Sequence, residues 1–182
     1  MPMIIKKKEI IYAFIDSQNL NLSVRNNIVR HGKKVYKGWS LDFARFFIYI
    51  RAKYQVKKAF LFIGYRKEYE SLYKHLAAAG FDLIFKPTLD SQGKTKGNVD
   101  AELVLHAMDK IRQYDKAIIV TGDGDFYCLV QYLIKKKKLC KLLIPNQYSY
   151  SSLLREFQKY ISFISLLKGK LELKKDRHLR GM

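Results

Sequence analysis

"KAIIVTGDGDFYCLV", residues 116–130, decides the fold. The apolar run Ala117–Val120 is short and rich in strand-forming residues, so it reads as a β-strand. Gly122 and Gly124 permit a tight turn, and a second apolar-rich stretch follows at once. Phe126–Lys137 places Leu129, Val130, Leu133 and Ile134 on one helical stripe, with Asp125 available as the N-cap. Lys135–Lys138 then suit the negative end of the helix dipole. A strand turning directly into a helix is the repeating unit of a parallel α/β sheet.

The same alternation runs outward in both directions. Ile10–Ile15, Ala59–Ile63, Leu83–Phe85 and Leu139–Ile144 are further strand candidates, apolar without strict alternation, as expected for strands covered on both faces. Helical periodicity falls between them. Leu41–Tyr54 has Ser40 as its cap, Tyr69–Ala79 is closed by Gly80, and Val99–Ile111 carries Leu103, Ala107 and Ile111 behind Asn98. Ser151–Tyr160 is expected as a last helix, and Ile161–Leu167 as a strand or an edge helix. Lys33–Gly38 and Asp90–Gly97 read as loops. The fold class is therefore α/β: one domain over residues 8–167, with a central, mostly parallel sheet flanked by helices and joined by right-handed crossovers. Residues 168–182 read as a basic C-terminal tail.

Composition narrows the function. The chain has 182 residues and 48% hydrophobic content, enough for one substantial core. Its 35 Lys and Arg against 16 Asp and Glu give a net charge of +19, which favours an anionic partner, nucleic acid before an acidic membrane surface. Cys128 and Cys140 make no zinc spacing with the histidines, and Cys128, among apolar neighbours, reads as a small buried hydrophobe. The start is not a signal peptide and no stretch reaches membrane-spanning length, so a cytoplasmic protein is expected.

Against that positive background, the acids stand out. In an open parallel sheet, ligands bind beyond the carboxyl ends of the strands. Asp16 follows the first strand, Asp123 follows "KAIIV", Asp125 lies beside it, and Asp100 falls in the first turn of a helix. Each also has a purely structural use: Asp125 as a cap, Asp100 at a helix dipole, Asp16 in a turn. Brought together on one rim, they repel one another unless a hard cation such as Mg²⁺ or Mn²⁺ joins them through oxygen ligands. Such a cation activates water and stabilises charge on a phosphate under attack. Asn19 can hold Asp16 in position, and Thr121 can bond a carboxylate or complete the strand. Arg25, Arg30, Lys33, Lys34 and Lys37 follow the first acid, and Lys94 and Lys96 precede Asp100. Either set can contact a sugar–phosphate backbone. Tyr36 and Trp39 can stack bases or simply pack.

Three stretches, "FIDSQNL", "KTKGNVDAELVLHAM" and "VTGDGDFYCLV", together resemble the NYN family, the PIN-like domains that include the LabA and DUF88 proteins. The resemblance covers roughly residues 8 to 165, in the expected order. It implies a PIN-like (Rossmannoid) parallel sheet between helices, an acidic pocket for Mg²⁺ or Mn²⁺, and metal-dependent, usually endonucleolytic, RNA cleavage. Carried over, Asp16, Asp100, Asp123 and Asp125 are the catalytic acids, with Asp16, Asp100 and Asp123 on the metal. Asn19 and Thr121 complete their motifs. Many relatives carry a further acid in the helix after Asp100, where this chain has His106. Glu102 and Asp109 are the nearest substitutes.

The expected function is thus a metal-dependent ribonuclease acting on single-stranded or structured RNA. The alternative is an RNA-binding regulatory protein with a weakly active or inactive metal site. RNA over DNA follows from the resemblance alone. A haloacid-dehalogenase-like phosphatase is disfavoured, because Gln18 stands where its second aspartate is required. No glycine-rich loop follows the first strand, which argues against a dinucleotide site. Apolar residues in the last third can cover the sheet or form a homodimer contact.

Overall fold

The computed structural model describes residues 8–86, 89–91, 94–96 and 99–174. In chain order the elements begin with β1 (Ile11–Asp16), α1 (Ser17–Arg25), the hairpin β2 (Ile28–Arg30) and β3 (Lys33–Tyr36), then α2 (Phe43–Tyr54) and β4 (Val56–Gly64). Next come α3 (Glu70–Ala79), β5 (Asp82–Lys86), the hairpin β6 (Leu89–Ser91) and β7 (Lys94–Lys96), and α4 (Val99–Asp109). The chain continues through β8 (Lys116–Val120), α5 (Tyr127–Lys135), β9 (Leu139–Ile144), β10 (Ile161–Phe163) and α6 (Lys168–Leu171).

A six-stranded sheet in the order β10-β9-β8-β1-β4-β5 forms the centre. Every neighbouring pair in it is parallel. Side-chain alternation splits its apolar residues between two cores. Ile11, Ala13, Ile15, Ala59, Leu61, Ile118 and Val120 face α1, α2 and α3. Tyr12, Phe14, Phe60, Phe62, Ala117 and Ile119 face α4 and α5. This double burial explains the unbroken apolar runs of the strands. The order reverses at β1: the chain adds β4 and β5 on one side, then crosses back to place β8, β9 and β10 on the other. The crevice at such a switch point is where open α/β sheets bind ligands. Among the described residues, no helix is long and apolar enough to cross a membrane.

Several local expectations change. Asp42, not Ser40, caps α2, its carboxylate accepting from the Arg45 amide at 3.1 Å. The expected loop at Lys33–Gly38 is half of a hairpin, because His31 and Gly32 both adopt positive φ, 48° and 72°. Those angles form the two-residue turn whose twist matches paired strands. The expected loop at Asp90–Gly97 likewise overlaps paired antiparallel strands, β6 from Leu89 and β7 to Lys96. Asn98, the expected cap of α4, lies outside the described residues. Ser152–Tyr160 is a run of 3₁₀ turns, and Ile161–Leu167 is a strand followed by a 3₁₀ turn. Cys128 is exposed, on the outer side of α5.

The expected tail does not begin at residue 168. Leu171 is buried, its carbonyl accepts from the Asp42 amide at 2.9 Å, and the Leu173 amide donates to the Ser40 carbonyl at 2.9 Å. Residues 168–174 therefore dock on the entry to α2, while 175–182 lie outside the described residues.

Candidate metal centre

Asp16 is the last residue of β1 and also the N-cap of α1, its Oδ1 accepting from the Asn19 amide at 3.0 Å. Its partner strands are β4 on one side and β8 on the other. Because β1 and β8 are neighbours, with Ile15 opposite Val120, the turn after β8 opens beside Asp16. The Thr121 hydroxyl donates to Asp16 Oδ2 across 3.5 Å and accepts from the Asp123 amide at 3.2 Å. Asn19 Oδ1 accepts from the Gly122 amide at 2.8 Å. One small network thus ties the first strand's acid to the "TGDGD" turn.

That turn differs from expectation in detail. Asp123, not Asp125, is the cap: its Oδ1 accepts from the Asp125 amide at 3.0 Å and starts a 3₁₀ turn, Gly124–Phe126, before α5. The glycine at 124 is required by close approach, since a Cβ there would stand 2.4 Å from Ser151 Oγ and 3.0 Å from its Cβ. The Asp125 side chain is left exposed at the rim.

Carboxylate oxygens of Asp100, Asp123 and Asp125 come within 4.8 Å of one another. Asp100 arrives from the first turn of α4, the others from the turn after β8. Burial, reinforced by the charges of Asp123 and Asp125, raises the Asp100 pKa above its ordinary value, and Lys86 opposes the shift. Asp16 is outside this trio of converging oxygens but close enough to feel the charges of Asp100 and Asp123. Its side of the network is only 5% exposed. Burial, partly offset by the Asn19 amide, raises its pKa to about 6. Three converging hard oxygens, with excess negative charge beside them, fit a divalent cation of the Mg²⁺ or Mn²⁺ class.

The remaining expected residues divide. Glu102 shares the first turn of α4 with Asp100 but is not in the trio. His106 is a packed histidine: its ring lies edge-on to Phe60 at 4.8 Å and to Phe62 at 5.6 Å, and Nε2 is buried. Burial lowers its pKa. Asp109 is exposed beside Lys110. Trp39 is 4% exposed and belongs to the core, so it does not stack bases. Tyr36 is half-buried, its hydroxyl donating to the Val24 carbonyl and its ring 6.3 Å from that of Tyr148.

Arg25 ends α1, and the hairpin carries Arg30, Lys33 and Lys34 outward. Arg25, Arg30, Lys33 and Lys34 are all exposed, and Arg30 donates to the Tyr148 carbonyl, linking the hairpin to the loop after β9. Lys94 and Lys96 lie on β7, where only the backbone is described. Beside Asp123 and Asp125 an open trough runs past Asn19, Ser23, Ser149 and Tyr150. Sequence reading passed over Lys86, which ends β5 at the same rim. A lysine closing an apolar strand is the signal that was available.

Comparison with known proteins bears on the fold and the family. No curated protein matches the chain. A crystal structure of a protein of unknown function from Vibrio parahaemolyticus is similar, with a TM-score of 0.67 and 24% identity, over 86% of this chain and 93% of that one. At that identity the likeness concerns the fold. The family model described as NYN domain matches residues 11–167: the chain belongs to the NYN domain family.

Proposed function

We propose that this protein is a metal-dependent ribonuclease that hydrolyses phosphodiester bonds within RNA. The convergence of Asp100, Asp123 and Asp125 within 4.8 Å, beside buried Asp16 at the switch point, carries this reading. Asp100, Asp123 and Asp125 hold a Mg²⁺ or Mn²⁺ ion, and Asp16 completes the negative field on the strand side. When bound, the cation supplies Lewis acidity, generating a nucleophile from water and offsetting charge on the phosphate.

The chain's own groups set the stage for that chemistry. Thr121 and the Asn19 amide orient the Asp16 carboxylate. Asn19 Oδ1 and Asp123 Oδ1 hold the turn that presents Asp123 and Asp125. Arg25, Arg30, Lys33 and Lys34, with Lys94 and Lys96, bind the sugar–phosphate backbone, and the trough beside Tyr150 leads the strand to the acids. RNA as substrate rests on membership of a nuclease-like family.

A second reading has one observation in its favour. His106, where many relatives carry an acid, is packed against Phe60 and Phe62 and contributes nothing to the trio. That suits an RNA-binding regulator whose site holds metal but cuts slowly. Cleavage of labelled single-stranded and hairpin RNA in Mn²⁺, Mg²⁺ or EDTA, alongside Asp123→Asn, separates the two. Metal-dependent products absent from the variant support the nuclease. RNA binding without products supports the regulator.

A further inference from the structure

Lys86 is the anomaly of this site. In a chain whose lysines crowd the surface, this one is only 7% exposed. Its Nζ is fully buried and finds no hydrogen-bond partner among the described residues. A buried ammonium without a partner is costly.

Its position says what it faces. Ile84 packs with the core beneath α4, and Lys86, two residues further along β5, lies on the same side of the strand. α4 packs against both β1 and β4, so its first turn sits over the same rim. Lys86 and Glu102 line one small void with Phe62, Ile63, Ile84 and Phe85. The carboxylates acting on the ammonium are those of Asp100, Glu102 and Asp16. They favour its charged form, against the burial that disfavours it. The buried ammonium thus shares a void with Glu102 and lies within the field of Asp100 and Asp16.

We propose that Lys86 is the built-in second cation of this site: one divalent ion sits at Asp100, Asp123 and Asp125, and the buried Lys86 ammonium, beside Glu102 under the first turn of α4, supplies from within the positive charge that a second divalent ion would bring. Two-metal nucleases place a second ion across the scissile phosphate to share its charge. A buried lysine there does the same electrostatic work as a fixed point charge. It also repels a second divalent ion from the Asp16 side. This inference rests on the metal reading above, and its test separates the two.

The test is a Mn²⁺ titration of the metal-stripped protein without nucleic acid, counting bound ions by the electron paramagnetic resonance of free Mn²⁺. The wild type is expected to bind one ion per chain. Lys86→Met, an apolar side chain of similar length, is expected to keep that site, and Lys86→Glu to gain a second ion. Two ions per wild-type chain would overturn the inference while leaving the metal site standing. No bound ion would remove both. A folded Lys86→Glu that still binds a single ion would also overturn it.

Discussion

Asn19 Oδ1 accepts a hydrogen bond from the Gly122 amide at 2.8 Å, joining the first turn of α1 to the turn after β8 across 103 residues of sequence. The bond spans the switch point of the sheet, and the acids on either side of it depend on that closure. Asn19→Ala removes the acceptor and leaves a partly buried amide unsatisfied, at a cost of about 1–3 kcal/mol. The expected result is a lower midpoint in urea together with weaker Mn²⁺ binding. A variant with wild-type Mn²⁺ affinity would show that the turn holds its shape without Asn19.

The buried Asp16 carboxyl gives the metal-free protein a pH dependence of definite sign. Its pKa is about 6 in the folded chain against 3.8 for the ordinary group. Between those values the folded state holds the proton more tightly than the unfolded state. From this group, stability is therefore highest at low pH and falls as pH rises through about 6. The effect is of order 2–3 kcal/mol. In EDTA, Asp16→Asn should melt higher than the wild type at pH 7.5 and lose the slope between pH 4 and 6.5. Excess Mn²⁺ should stabilise both proteins, the wild type more, because the Asp16 charge lies beside the ion held by Asp100, Asp123 and Asp125. Thermal melts of both proteins across pH decide it, and an unchanged slope in Asp16→Asn would assign the dependence elsewhere.

Trp39 tests the difference between a base-stacking residue and a core residue. Its ring is buried among the residues beneath α1 and α2. Trp39→Ala should cost about 3–5 kcal/mol of stability. Any loss of RNA binding should follow from unfolding and vanish at low temperature, where the variant remains folded. A stable variant with specifically weakened RNA binding would contradict the burial.

Lys33 and Lys34 sit side by side on the exposed hairpin. If both meet phosphates, Lys33→Ala with Lys34→Ala should flatten the dependence of log affinity on log salt by about 1.4 for single-stranded RNA. Fold and Mn²⁺ affinity should not change. Binding measured from 50 to 300 mM salt gives the slope, and an unaltered slope would take the hairpin out of the interface.

Much of this molecule was legible from local pattern. The strands ending at Asp16, Val120 and Ile144 announce themselves because burial on both faces demands unbroken apolar runs. Two turn signals were misread for physical reasons. Lys33–Gly38, expected as a loop, begins with a strand because the left-handed angles of His31 and Gly32 fold the chain back into a hairpin. Asp125 looked like the cap because it adjoins the helix, whereas an intervening 3₁₀ turn hands that task to Asp123. Cys128 was placed inside from its neighbours, although the helix turns it outward.

By itself, the sequence determined the α/β class, the NYN resemblance and which acids end strands or begin helices, since these follow from periodicity and motifs carried by adjacent residues. Only the tertiary structure decided that β1 and β8 are neighbours, that Asp100 joins Asp123 and Asp125, and that Asp16 and Lys86 lie buried beside them. Strand order and burial arise from contacts between residues far apart in the chain, and no local spacing encodes which strands will meet.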